Sequence, residues 1–179
     1  AVVDIGGGTT DIVVFQGSRA RYTAVIPVGG FQFTNDICVA YSATYPGAEE
    51  VKLKYANADP FSVRVDEMVP LPSTGGPADR LVLRRDVCQL VRERSQELVN
   101  LVALKLREAA LVDMAEMPLA LTGGVANLPG LLDMTRFNGV RRPPNAHHST
   151  RATIVPVQHP VHFQPQLFSY MGRVIRAGL

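Results

Sequence analysis

An acid followed by a run of glycines and hydroxyls opens the chain: Val2-Val3-Asp4-Ile5-Gly6-Gly7-Gly8-Thr9-Thr10-Asp11. Consecutive glycines let a backbone turn approach a ligand with no side chain in the way. Their N–H groups, joined by the hydroxyls of Thr9 and Thr10, form a concave donor set that suits phosphate oxygens. A carboxylate at Asp4, at the end of a strand, suits a hydrated Mg²⁺. Taken alone, the same residues also make a tight hairpin with no ligand at all. A second glycine junction comes late in the chain, Leu121-Thr122-Gly123-Gly124-Val125-Ala126-Asn127-Leu128-Pro129-Gly130-Leu131. There again N–H donors stand where a strand hands over to a helix.

Charged residues offer fewer sites. Glu49 and Lys52 lie one helical turn apart, which predicts a solvated ion pair, the alternative being a polar pair presented to a ribose or base. Arg84, Arg85, Arg92, Arg94 and Arg107 read by default as the wet faces of a long helix. His147, His148, His159 and His162 have no Cys or carboxylate spaced to join them around a metal. Cys38 and Cys88, far apart, fit a reduced, cytoplasmic protein better than a disulfide framework.

The elements that must hold these residues follow from pattern. Val2–Ile5 and Thr10–Phe15 predict a hairpin, and residues 21–28 a strand ending at Gly29-Gly30. A helix is expected next, with Thr34 as its N-cap, running to about Tyr45 and stopping before Pro46-Gly47. Residues 48–56 predict a short helix, and 61–65, 67–71 and 81–83 short strands around the loop 72–77. Val87, Leu90, Val91, Leu98, Leu101, Val102 and Leu106 give a core-facing stripe over a helix of about 85–111. Residues 117–121 read as a buried strand, followed by a helix to about Phe137. A basic Pro/His loop spans 139–150. A strand at 152–157 and a helix at about 164–176 complete the expectation. Alternating strands and helices with a small inserted lobe make an α/β domain whose ligand site lies at strand ends.

With 179 residues, 46% of them hydrophobic and 19% charged, the chain can bury one core or two small lobes. A formal net charge of +2 gives no ground for nucleic-acid binding. No apolar run reaches membrane-spanning length. A chain that enters a strand directly, without an initiating Met, is expected to be part of a longer protein.

The two glycine junctions, in this order and more than a hundred residues apart, resemble the actin-like ATPase superfamily, in which a nucleotide lies between two lobes. Asp4–Asp11 looks like its second phosphate motif and Leu121–Leu131 like its adenosine motif. Within the superfamily the chain is most similar to the FtsA family of bacterial cell-division proteins. Ile26-Pro27-Val28-Gly29-Gly30 with Thr34-Asn35-Asp36-Ile37, Ala48–Lys52, Arg94–Val102 and Pro165–Gly172 carry that resemblance. MreB and chaperone sequences usually place an acid where Phe31 stands.

The resemblance implies an actin-like, ribonuclease H-like α/β lobe with a small inserted α+β subdomain. Residues 1–45 and 112–179 would form the nucleotide-binding core of the second lobe, and 46–111 the small subdomain and long helix. Asp4 would hold Mg²⁺ through water. Gly6, Gly7, Gly8, Thr9 and Thr10 would meet the β- and γ-phosphates of ATP, Glu49 and Lys52 the ribose and base. Gly123, Gly124, Val125 and Ala126 would border adenosine and the α-phosphate; that family more often has a third glycine where Val125 stands. Arg84 and Arg94 fall where the family carries arginines implicated in binding the C-terminal tail of FtsZ. Self-assembly into filaments, and association with the inner face of the membrane through a segment not in this chain, are further implications. A PilM-type or MreB-like protein, or a lobe kept only for protein interaction, are the alternatives. One lobe alone is expected to be inactive as an ATPase, because in-line transfer needs groups on both sides of the cleft.

Overall fold

A mixed five-stranded sheet forms the base of the computed structural model, which describes residues 1–72, 80–109, 117–137 and 153–154. Its strands are β1 (Val2–Ile5), β2 (Thr10–Gln16), β3 (Arg19–Ile26), β6 (Ala120–Thr122) and β7 (Thr153–Ile154), in spatial order β3-β2-β1-β6-β7. The first three run antiparallel to one another, whereas β6 pairs parallel to both β1 and β7. Between β3 and β6 the chain builds α1 (Gly30–Tyr41), α2 (Tyr45–Tyr55), the ribbon β4 (Met68–Leu71) and β5 (Arg80–Leu83), and α3 (Arg84–Glu108); α4 (Leu131–Phe137) follows β6. Among the described residues no helix is long and apolar enough to cross a membrane.

Period-two alternation explains the hairpin. Val3, Ile5, Ile12 and Val14 point inward and are buried, which leaves Asp4 and Asp11 on the other face. Leu98, Val99, Val102 and Leu106 of α3 belong to the same core as those strand residues. That core continues through Val87 and Val91 to Phe33 and Ile37 of α1, Val51 of α2, and Val69, Leu71 and Val82 of the ribbon. The helical spacing along 87–106 is therefore the spacing of a buried stripe, although Leu90 and Leu101 are only half-buried.

Several boundaries differ from expectation, each for a local reason. The first helix begins at Gly30, four residues before the expected N-cap, and Thr34 lies inside it. Gly29 takes the capping place, its N–H donating to Gln32 Oε1 at 2.8 Å. Pro46-Gly47 starts α2 instead of ending α1: the Thr44 hydroxyl accepts from Gly47 N at 3.2 Å, and Pro46 occupies the first turn, where its missing N–H costs nothing. The expected strand at 61–65 is replaced by a 3₁₀ turn at Pro60–Ser62, capped by Asp59 Oδ1 accepting from Phe61 N at 3.1 Å. Another 3₁₀ turn, Val125–Asn127, separates the second glycine pair from α4. The basic loop 139–150 and the helix expected at 164–176 lie outside the described residues, as does most of the strand expected at 152–157.

Candidate functional site

The glycine turn is closed by one bond, Gly6 N to Thr9 O at 2.9 Å. The start of α1 docks on it: Gly30 N donates to Gly6 O at 2.9 Å and Phe31 N to Gly7 O at 2.7 Å. Those contacts fix which way the turn faces. No peptide here is cis, and in a trans peptide the C=O of one residue and the N–H of the next point in opposite directions. Carbonyls of Gly6 and Gly7 aimed at α1 therefore aim the N–H groups of Gly7 and Gly8 away from it. Gly7, Gly8 and Thr9 are exposed, and a Cβ added to Gly7 or Gly8 would meet nothing within 4 Å. Among the described residues no backbone carbonyl receives these amides.

Thr10 does not share this exposure. It is fully buried, and its hydroxyl donates to Val28 O at 2.8 Å. The expectation that both threonine hydroxyls face a ligand is thus corrected for Thr10. The Thr9 hydroxyl stays at the surface, 3.2 Å from Asp11 Oδ2.

Beside the turn, register assembles a polar row. Asp4 pairs with Asp11 on β2 and with Thr122 on β6, so the three side chains share a sheet face. Partial burial, and then the charge of Asp11, push the Asp4 carboxyl above its ordinary range. Among the described residues neither acid has a Lys or Arg partner. The Thr122 hydroxyl is buried with no hydrogen-bond partner among the described residues. Gly123, at φ +89°, lies against the row: a Cβ there would come within 2.5 Å of Asp4 Oδ1 and 2.3 Å of Ile5 O. Two uncompensated carboxylates beside outward amides form a donor set that fits a hydrated divalent cation carrying a polyphosphate. No group of three or more His, Cys, Asp or Glu side chains occurs among the described residues, so a cation would depend on water and ligand for most of its shell.

Glu49 and Lys52 are not the solvated pair that spacing predicts. Lys52 Nζ lies 2.7 Å from Glu49 Oε2, and their side chains are 13% and 33% exposed. Lys52 also reaches Gly30 O at 3.1 Å and Thr34 Oγ1 at 2.9 Å, binding α2 to α1. Gly30 is where the pieces converge. A Cβ on it would lie 3.2 Å from Val125 Cγ2, 3.4 Å from Lys52 Nζ and 3.8 Å from Gly6 O. The glycine turn, the α2 pair and the second glycine junction therefore surround one point. Gly123 is half-buried and Gly124 exposed, whereas Ala126 is fully buried and its N–H bonds Gly123 O at 3.3 Å.

Four of the five arginines of α3 are likewise engaged, while Arg107 is exposed. Arg84 Nη1 holds both oxygens of Glu67 at 2.9 and 3.0 Å, and its Nε donates to Tyr55 O at 2.8 Å. Arg94 grips Asp36 of α1 with two bonds of 2.7 and 2.8 Å and also bonds Glu97. Arg85 and Arg92 donate to the carbonyls of Val63 and Ala58. For Arg84, Arg85, Arg92 and Arg94 a solvated face is thus corrected to a set of clamps that hold α3 to its neighbours.

Sequence reasoning missed Asp11, Thr34, Thr122 and the role of Gly29. Asp11 was findable: a four-residue turn from Gly6 to Thr9 places it opposite Asp4. Thr34 acts through partners on the next helix and Thr122 is set beside Asp4 by the β1–β6 register, neither of which a local pattern reveals.

Comparison with known proteins gives this geometry a context. The sequence model of the family described as cell division protein FtsA matches residues 1–161. Cell division protein FtsA of Pseudomonas aeruginosa is 38% identical over 133 residues, 74% of this chain and 32% of that protein. That of Escherichia coli is 38% identical over 137 residues, 73% of this chain and 33% of that protein. The chain therefore spans about a third of the length of these relatives. Among solved structures, MreB5 of Spiroplasma citri bound to ADP superposes with a TM-score of 0.55 at 22% identity, covering 72% of this chain and 42% of that one. At that identity the likeness establishes the actin-like fold alone.

Proposed function

Since the chain belongs to the FtsA family of cell-division proteins, we propose that it forms one wall of an ATP cleft in an FtsA-like, actin-related protein. The observation that carries this reading is the outward-facing amides of Gly7 and Gly8 beside the carboxylates of Asp4 and Asp11, which have no Lys or Arg partner among the described residues. In this role the turn amides bind the β- and γ-phosphates, with the Thr9 hydroxyl beside them. Asp4, supported by Asp11, holds the water shell of Mg²⁺. The bound cation supplies charge neutralisation at the phosphates. Glu49 and Lys52 meet the ribose and base, while Gly123, Gly124 and Val125 border the adenosine. Val125 contributes a wall where a glycine would leave space, and Ala126 shapes that wall from within the core.

The rest of the cleft belongs to the opposite lobe. The isolated 179-residue chain accordingly has no measurable ATPase activity and at most weak ATP affinity. The full-length protein assembles into filaments in the cytoplasm and links the FtsZ ring to the inner face of the membrane. The FtsZ C-terminal tail docks at the small subdomain, near Arg84 and Arg94. Both side chains keep 24% of their surface exposed while paired, so a tail carboxylate would share them with Glu67 and Asp36.

Calorimetric titration of Mg-ATP into the full-length protein tests the nucleotide part. Binding that falls at least tenfold in Asp4→Ala supports it, in line with the usual cost of losing an outer-shell metal partner. Absence of binding by the wild type refutes it and leaves a protein-interaction module. ATP turnover by the isolated chain, abolished by Asp4→Ala, would overturn the claim that one lobe is inactive.

A further inference from the structure

Thr34 is fully buried on α1 and sits between the Glu49 and Lys52 side chains of α2. Its hydroxyl donates to Glu49 Oε2 and accepts from Lys52 Nζ at 2.9 Å. The Gly30 carbonyl is also within reach, at 3.2 Å. A hydroxyl has a single proton, and a carboxylate holds it more strongly than a neutral carbonyl does. Gly30 O is served instead by Lys52 Nζ at 3.1 Å. The direct Lys52–Glu49 contact closes a ring of three side chains. Both the ammonium and the hydroxyl engage the same carboxylate oxygen, Oε2. Glu49 Oε1 makes no hydrogen bond among the described residues, and the Glu49 side chain is 33% exposed.

A helix needs no hydroxyl at a buried position, and a buried polar group is costly unless bonded. Thr34 therefore has a job, and the ring shows what it is. We propose that Thr34 is a positioning residue for nucleotide recognition: by fixing Oε2 it turns Oε1 outward as the single free acceptor for a sugar hydroxyl. This makes Thr34 a determinant of preference for ribonucleotides over 2′-deoxyribonucleotides. The inference rests on the nucleotide reading above. Without the hydroxyl, Glu49 is held only by its flexible ion pair with Lys52, and Oε1 loses its fixed direction.

The test is calorimetric titration of the full-length protein with Mg-ATP and with Mg-2′-deoxyATP. The wild type is expected to prefer ATP. Thr34→Val, near-isosteric but without the hydroxyl, should lose about tenfold in ATP affinity and less than about threefold for the deoxy form, so the preference collapses. Thr34→Ser, which keeps the hydroxyl, should stay within about twofold of wild type on both. Should Thr34→Val fail to fold by circular dichroism, Thr34→Ala is read in the same way. Equal weakening on both nucleotides, or none, overturns the proposal and leaves Thr34 a packing residue. Wild type that binds both nucleotides equally overturns the proposal but not the nucleotide reading, whereas wild type that binds neither overturns both.

Discussion

Gly29→Ala puts a methyl group into the joint between the glycine turn and α1. The added Cβ would sit 2.6 Å from Gly6 O and 2.8 Å from both Gly7 C and Gly7 O. These are backbone atoms of the turn, so no side chain can swing aside. Restoring ordinary contact moves the helix start away by about 0.8 Å or more. The same carbonyls, Gly6 O and Gly7 O, receive Gly30 N and Phe31 N, so the retreat breaks both bonds. Overpacking costs about 1–3 kcal/mol and each of the two lost bonds about 0.5–1.5, for a total of about 2–6 kcal/mol. Backbone strain adds nothing, because Gly29 is extended at φ −156°. Gly7→Ala is the internal control: its Cβ meets nothing within 4 Å, and the expected change is within about 0.5 kcal/mol. Native-state hydrogen exchange of the amides at the start of α1, with urea unfolding alongside, measures both. The reasoning fails if Gly29→Ala lies within about 0.5 kcal/mol of wild type, or if Gly7→Ala is as costly.

Asp4→Asn is expected to stabilise the ligand-free fold at neutral pH while it weakens Mg²⁺-dependent binding. Burial and Asp11 raise the folded-state pKa of Asp4, so the folded state holds this proton more tightly than the unfolded chain. Its ionisation therefore removes stability as pH rises through the folded pKa, and the advantage of Asn should disappear as pH falls below the unfolded carboxylate range. Urea titrations across that span check the sign. Arg94→Ala should cost about 1–3 kcal/mol by leaving Asp36 without its bidentate partner, and a double-mutant cycle with Asp36→Ala should recover about half or more of it. Arg94→Lys keeps the charge but not the fork. An FtsZ-tail pull-down retained by Arg94→Lys and lost in Arg94→Glu would assign Arg94 to charge recognition of the tail, while loss in both would assign it to holding α1 on α3.

Local chemistry made much of this molecule legible. The β1–β2 hairpin could be read because alternation and turn glycines are local signals, and α3 because its stripe runs through many turns. Asp4 and the glycine junctions could be singled out for the same reason. The start of α1 could not, since its first amides are satisfied by carbonyls of a turn more than twenty residues away. Pro46 misled because a proline that ends one helix and one that begins the next look alike until the Thr44 cap is seen. By spacing alone Glu49, Lys52, Arg84 and Arg94 read as surface, because spacing along a helix reports only that helix. What they touch is decided by the neighbours that α1, α2 and the segment leading into β4 bring to them.

The parallel pairing of β1 with β6 joins residues 2–4 to residues 120–122. During synthesis β1 and β2 leave the ribosome more than a hundred residues before β6, and the other edge of β1 has no partner until β6 follows. At bacterial elongation speeds of about 5–20 residues per second, that wait is roughly 6–24 s. For that interval the nascent hairpin shows an apolar strand with open hydrogen-bonding groups, as a sticky edge does in an aggregation-prone intermediate. Early capture by a holdase, or fast local folding of the insert, would shield it. A truncation series released from ribosomes should accordingly become soluble only once β6 has emerged.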